Sequence, residues 1–307
     1  MTNIIDVISQ LNYKDKLLAV IREGKVPSKS ELARMMDVTY RQMHRWLDEG
    51  MEPSRLYCRE IEELYRRYVD ISPQVLKSAE QLADPLTTLR ENSEIREKFF
   101  VKMIYHSNAI EGSPMTEKDT LAVMHGQIVR GADKNLAAHM EVSNHRNAMD
   151  YLLKSVEKDF KITEEYVLKL HALVMGGFMQ MKPGEYRDGY VNLTNTDVLP
   201  PSAQEVPGRM KEWNARINIP SENPIFKAAQ DHHDFELIHP FFDGNGRVGR
   251  LVMATQLMSV GLPPAVIRIE ERYHYYMGLE RWVLGEKNYL VSTVAEGVAE
   301  GMRILGL

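Results

Sequence analysis

Apolar residues three and four positions apart recur through six long segments of this chain, and that spacing puts them on one face of a helix. The segments are 93–111, 136–156, 163–179, 228–238, 248–260 and 289–304. One stretch breaks the rhythm. Residues 186–201 mix aromatic and β-branched side chains with Asp-Gly and Asn-rich turn signals, which predicts a short β-hairpin. The expected fold is therefore all-α with a single hairpin. With 307 residues, 44% of them hydrophobic and 26% charged, the chain has material for a large core and is not a disordered polymer.

Ile71-Ser72-Pro73 and Asp84-Pro85 interrupt the helical pattern on either side of a polar stretch. They divide the chain into an N-terminal unit (1–72), a connecting segment (73–92) and a larger domain (93–307). Within the first unit, residues 30–47 read as a capped helix, a tight turn and a second amphipathic helix, which resembles a helix-turn-helix. Ala33 allows a close crossing, Val38 plugs the turn, and Tyr40, Arg41, Gln42, His44 and Arg45 begin the exposed recognition helix. The formal net charge of −5 excludes a broadly basic nucleic-acid surface, so any DNA contact must be local to residues 30–47. The competing reading is a helical packing or dimerisation module.

Cys58 is the only cysteine, which rules out an internal disulfide and a Cys-based zinc site and points to a reducing compartment. The first residues lack a basic start followed by an apolar signal core. The greasiest stretch, 251–267, is broken by Gln256, Ser259, Pro263 and Pro264. A cytoplasmic protein without a membrane span is expected.

The run His239-Pro240-Phe241-Phe242-Asp243-Gly244-Asn245-Gly246-Arg247-Val248-Gly249-Arg250 carries the chemistry. Glycines on both sides of Asn245 let the loop take positive backbone torsions and aim several N–H groups at one point, forming an anion nest. Arg247 and Arg250 then stand three apart in the first turn of a helix, where the dipole disfavours each cation by about 0.3–1 kcal/mol. A polyanion in the nest makes sense of that pair, and nucleotide phosphates are the usual candidate. Asp243 adds a hard oxygen suited to Mg²⁺ or Mn²⁺. His239, titrating near neutrality, suits a general base that takes a proton from a hydroxyl nucleophile.

Two other patterns are set aside. Gly244-x-Gly246-x-x-Gly249, with Glu270 downstream, matches the dinucleotide fingerprint, but no buried apolar strand precedes it. His232-His233-Asp234 with His239 lacks zinc spacing, because adjacent helical histidines point about 100° apart.

Residues 239–250 match, position by position, the HxFx(D/E)GNGRxxR signature of Fic-domain enzymes, which transfer AMP from ATP to a hydroxyl of a target protein. The similarity extends over about residues 90–285, including Pro183-Gly184-x-Tyr186-Arg187 and the Gly261-Leu262-Pro263-Pro264 turn. The resemblance implies a Fic-type helical core with a β-hairpin flap around Val191 to Val198 that holds the target segment by strand addition. It implies His239 as base and Asp243 as metal ligand. Asn245 with the Gly244 and Gly246 backbone would hold the α- and β-phosphates, Arg247 and Arg250 the outer phosphates, and Tyr275 or Tyr276 would line the adenine pocket. Relatives that transfer other phosphate-containing groups carry Lys at the second glycine, so Gly246 argues for AMP. The implied partner is a protein target, the chain itself included; a homodimer is a further expectation.

Ser107-Asn108-Ala109-Ile110-Glu111-Gly112 resembles the inhibitory [S/T]xxxE[G/N] pattern of the same family, in the class whose inhibitory helix (93–112 here) lies N-terminal in the Fic domain. Ser107 and Glu111 are four apart on one helix face, and Gly112 ends that helix. Glu111 is then an anion at a helix's negative end, which requires a cation to meet it. By resemblance that cation is Arg250, in a bidentate pair that would occupy the arginine needed by the γ-phosphate. Some members of the family also remove AMP, with the inhibitory glutamate positioning water. The contrasting expectation is a DNA-binding regulator whose Fic domain senses a nucleotide.

Overall fold

A computed structural model of the chain describes residues 11–23, 26–80, 82–131, 133–192 and 199–306. Among the described residues there are fifteen α-helices, two single 3₁₀ turns and no strand. The centre of the expected hairpin, residues 193–198, lies outside the described residues, and its flanks, 186–192 and 199–201, are irregular.

The N-terminal unit begins with α1 (Tyr13–Arg22), α2 (Lys29–Met35), α3 (Tyr40–Asp48) and α4 (Arg55–Tyr68). Side-chain caps define three of these starts: Asn12 accepts from Asp15 N at 2.9 Å, Ser28 from Glu31 N at 3.2 Å and Thr39 from Gln42 N at 3.2 Å. Each satisfies an amide that the helix leaves open. Between α2 and α3 the chain turns through Asp37 in the left-handed region (φ +48°), a conformation Asp tolerates better than most residues. Leu32, Ala33, Met43, Trp46 and Leu47 pack inward, while Tyr40, Arg41 and Arg45 stay exposed on the opposite face of α3.

Two short helices, α5 (Ser72–Ala79) and α6 (Pro85–Glu91), lead into the larger domain. A proline stands in the first turn of each, where its missing N–H removes no helical hydrogen bond. The apolar residues of α1–α5 are continuous with those of the C-terminal helices, so Leu17, Met43 and Ile61 belong to the same buried cluster as Leu257, Leu290 and Val294. Ion pairs from α4 fasten the join: Arg66 reaches Glu271 at 3.0 Å and Glu296 at 2.9 Å, and Arg67 pairs with Glu286.

The larger domain comprises α7 (Ser93–Ile110), α8 (Glu117–Met124), α9 (Leu136–Ser155), α10 (Glu164–Val174), α11 (Val206–Ile217), α12 (Pro224–Ile238), α13 (Asn245–Ser259), α14 (Arg272–Trp282) and α15 (Asn288–Leu305). Helix α13 runs through the middle, with thirteen of its fifteen residues buried. That burial places its polar first turn inside the protein, and this decides where the site can be. Helix α10 stops at Val174 rather than at 179, because Gly176 and Gly177 follow and Gly177 takes φ +85° with Met140 against its Cα. Helix α12 starts a turn before its apolar pattern, capped by Asn223 with Pro224 in the first turn. Among the described residues no helix is long and apolar enough to cross a membrane.

Candidate active site

Helix α12 ends where the motif begins. His239 closes it in the left-handed conformation (φ +48°), its N–H bonded to Phe235 O at 2.9 Å. Its Nδ1 lies 3.3 Å from the Glu236 carbonyl, which can only accept, so Nδ1 carries the proton and Nε2 keeps the lone pair. Burial, with Arg187 adding to it, pushes the imidazole pKa down to about 4, so the ring is neutral at neutral pH with the Nε2 lone pair unprotonated.

The loop after His239 is held rigidly. Phe241 is fully buried and stacks on His171, ring centroids 3.7 Å apart and planes at 6°. His171 donates from Nε2 to Asp243 O at 3.2 Å and accepts at Nδ1 from Gly184 N at 2.9 Å. Burial pushes its pKa down to about 4, which keeps it in that neutral form. The Asn245 side chain donates to Phe241 O at 3.0 Å and accepts from Phe241 N at 2.9 Å, so its amide zips the loop shut. Gly244 takes φ +80°, and a Cβ there would lie 2.8 Å from Met175 Sδ. No side chain fits.

The two arginines of α13 are both buried and both engaged. Arg250 donates from Nε to Ser107 Oγ at 3.0 Å and from Nη1 to Tyr275 Oη at 3.2 Å. Its Nη2 serves Ser107 O at 2.9 Å and Glu111 Oε1 at 2.7 Å. The Glu111 contact is therefore made through one nitrogen and is not the expected fork, because Ser107 and Tyr275 take the other donors. The Glu111 carboxylate lies against the Cα of Gly246, where any Cβ would collide with it. It sits over the N-terminal end of α13, so an anion at the negative end of α7 is met by the positive end of a second helix and by a guanidinium. Arg247 donates to Glu141 Oε1 at 3.2 Å and to Asp243 Oδ1 at 3.3 Å, and its buried Nε has no partner. Burial raises the Glu141 pKa, with Arg247 opposing.

The residues expected from sequence fall in two groups. His239, Asp243, Gly244, Asn245, Gly246, Arg247, Arg250, Ser107, Glu111 and Gly112 are brought together at the junction of α7, α12 and α13. The tyrosines separate. Tyr275 is 1% exposed, its hydroxyl accepting from Arg250 and donating to His232 Nε2 at 2.7 Å, so it stands behind the arginine and presents no free face. Tyr276 is only half-buried and overlies Arg272.

Other residues enter the site to which the sequence had given no role. Arg187, 3% exposed, donates to the carbonyls of His239 (2.8 Å), Gly189 (3.0 Å) and Pro201 (2.6 Å), while its N–H reaches Pro240 O at 2.9 Å. It ties both flanks of residues 193–198 to the catalytic loop. Asn108 Oδ1 accepts from His145 Nδ1 at 3.0 Å, joining α7 to α9 beside the two arginines. Glu236 and Glu141 come from the α12 and α9 faces of the site.

The sequence model of the Fic/DOC family matches residues 161–257, from just before α10 through most of α13. The chain carries a Fic domain. Over 215 residues it is 33% identical to the protein adenylyltransferase Fic of Nematostella vectensis, which covers 69% of this chain and 49% of that protein. Identity to the Drosophila mojavensis protein of the same name is 32% over 228 residues, 72% of this chain and 45% of the other. The chain thus spans about half the length of the curated relatives it matches. Among solved structures, a Fic-1 variant from C. elegans superposes with a TM-score of 0.65 at 26% identity, covering 95% of this chain and 92% of that one. A Fic-domain signaling protein from Bacteroides thetaiotaomicron gives 0.63 at 22% identity, covering 76% and 92%, and shares the fold.

Proposed function

We propose that this Fic domain is a self-inhibited protein adenylyltransferase, which moves AMP from ATP to a Ser, Thr or Tyr hydroxyl of a target protein, with the chain itself among the candidate targets. The observation that carries the reading is the Glu111–Arg250 contact at 2.7 Å, with Glu111 lying over Gly246. A carboxylate there stands where a nest and an arginine would otherwise meet phosphate. The names of the curated relatives support the same activity.

In the open state the target hydroxyl gives its proton to His239 Nε2 as its oxygen bonds the α-phosphorus. The bond from that phosphorus to the bridging oxygen breaks, and pyrophosphate leaves. The free N–H groups at the start of α13, with Arg247 and Arg250, receive the negative charge of the phosphates, so catalysis is chiefly positioning and charge neutralisation. Asn245 contributes by shaping the loop through Phe241. The Asp243 carboxylate, 51% exposed at the loop's edge, fits Mg²⁺ or Mn²⁺, which accept one carboxylate together with phosphate oxygens and water. Among the described residues no group of three or more His, Cys, Asp or Glu is arranged to hold a metal without such help. When bound, the ion would neutralise charge on the departing pyrophosphate. Removal of AMP from a modified target is a second reaction open to the same residues, with Glu111 positioning the water.

A second role rests on α3, whose exposed Tyr40, Arg41 and Arg45 oppose a buried Met43, Trp46 and Leu47, a face suited to the DNA major groove. The regulator reading, with the Fic domain as nucleotide sensor, requires the full chain to shift a DNA duplex in a gel with steep salt dependence. The homodimer has no residue behind it and forms no part of the proposal.

Incorporation of label from α-labelled ATP decides the activity. The Glu111→Gly variant is expected to incorporate AMP, and adding His239→Ala to abolish that incorporation. Equal labelling with and without His239 would remove the base assignment.

A further inference from the structure

Three residues before His239, on the same helix, Glu236 turns its side chain into the site. One carboxyl oxygen, Oε2, lies 4.0 Å from His239 Nδ1. The other, Oε1, is shielded from solvent and has no hydrogen-bond partner. Position 249 of α13 is glycine, and a Cβ there would stand 3.0 Å from Glu236 Oε1 and 2.8 Å from the His232 ring. A shielded carboxyl oxygen without a partner is costly, and keeping it beside a catalytic base calls for a function.

The charged and titratable groups around this carboxyl come from every neighbouring element. They are His232 and His239 from α12, Arg250 from α13, Tyr275 from α14, Glu111 from the end of α7 and Arg187 behind the His239 carbonyl. Glu111 and Glu236 thus share one guanidinium. The direct hydrogen bond from Arg250 goes to Glu111.

Building on the transfer reaction proposed above, we propose that Glu236 is a positioning residue for His239: its carbonyl orients the imidazole through Nδ1, and its side chain, as a carboxylate 4.0 Å from the same atom, balances the charge the ring gains on taking the hydroxyl proton. Burial, with Glu111 adding to it, keeps Glu236 protonated while Glu111 engages Arg250, and so withholds that carboxylate from His239. Burial and the nearby Glu111 push the Glu236 carboxyl up to about 8, in keeping with a proton resident there at neutral pH. With one proton already on Glu236, a second must go onto an imidazole whose pKa has been pushed down to about 4. With Glu236 ionised, the incoming proton is the pair's first and is bound far more tightly. No proton is lost in the exchange: the hydroxyl proton passes to His239, the new O–P bond forms and pyrophosphate carries off the broken one.

The test uses the full chain with Glu111→Gly, alone and combined with Glu236→Gln, which keeps the shape but cannot ionise, or Glu236→Asp, which restores the charge. Two quantities are read: the His239 imidazole titration by nitrogen-detected NMR, and the pH profile of AMP transfer at saturating Mg-ATP. The Gln variant should titrate His239 at least one pH unit lower than its parent, and its plateau rate should fall about ten-fold with the KM for ATP within two-fold. The Asp variant should recover part of both. An unchanged His239 midpoint in the Gln variant overturns the inference whatever the activity. A shifted midpoint without AMP transfer by any variant upholds the carboxyl–imidazole pair and instead removes the transferase reading.

Discussion

Arg247 and Arg250 stand one turn apart on the same helix, both buried, yet they are held in different ways. Arg250 spends its donors on residues outside the nucleotide loop: Ser107 and Glu111 of the α7 end, and Tyr275 of α14. Arg247 is held by Asp243 in the loop itself and by Glu141 of α9, through contacts of 3.2–3.3 Å, with its Nε unpartnered. One arginine is sequestered and the other is poised. On the proposed function, the difference teaches that inhibition here would require neither a closed cleft nor a distorted loop. It is enough for a neighbouring helix to end its chain of donors and acceptors on the second arginine alone.

The contrast can be broken most forcibly by deleting either arginine. Arg250→Ala leaves Glu111, Tyr275 and Ser107 without their common partner, and loss of one member of a buried charge pair costs about 3–5 kcal/mol. Arg247→Ala is expected to cost less, because Arg247 makes two carboxylate contacts of 3.2–3.3 Å where Arg250 makes four hydrogen bonds. Urea unfolding of the two variants measures this, and equal losses would erase the distinction. Next in size is Glu111→Gly, expected to raise AMP incorporation about ten-fold. A charge-assisted hydrogen bond is worth about 1.5–3 kcal/mol, and the lower end applies because Glu111 is 31% exposed. Glu141→Gln sharpens the comparison from the other side: it should lower the activity of the Glu111→Gly protein about three- to five-fold and release no inhibition in the parent. The smallest effect is expected for Ser107→Ala, which removes one of the hydrogen bonds of Arg250 and leaves the Glu111 contact and the Ser107 carbonyl in place, and should raise incorporation two- to three-fold. A Ser107→Ala effect larger than that of Glu111→Gly would put the inhibitory contact on the wrong residue.

Much of the site was legible because its chemistry is local in sequence. Twelve consecutive residues supply the proposed base, the loop, the proposed metal carboxylate and both arginines, and the four-residue spacing of Ser107 and Glu111 places them on one face. The role of Asn245 was not legible, since only the folded loop shows that its amide closes on Phe241. Arg187 stood in the Pro183–Arg187 stretch of the family resemblance with no role given, and Glu141 and His171 act through groups supplied by distant segments, a relation with no local signature. Glu236 did carry a faint one, its three-residue spacing from His239, but a glutamate on an amphipathic helix reads by default as a solvated face until Gly249 is seen to make room for it. Helix boundaries show the same division. The apolar spacing found the interior of α10, and the Gly176-Gly177 pair with Met140 packed against it decided the end.

The central claim is that Glu111 restrains the reaction by holding Arg250. A double-mutant cycle of AMP transfer rates tests it directly, with parent, Glu111→Gly, Arg250→Lys and the combined variant measured at matched Mg²⁺ and ATP. The account predicts that the gain from Glu111→Gly disappears when Arg250 is replaced. A gain of the same size in the Arg250→Lys background would contradict it.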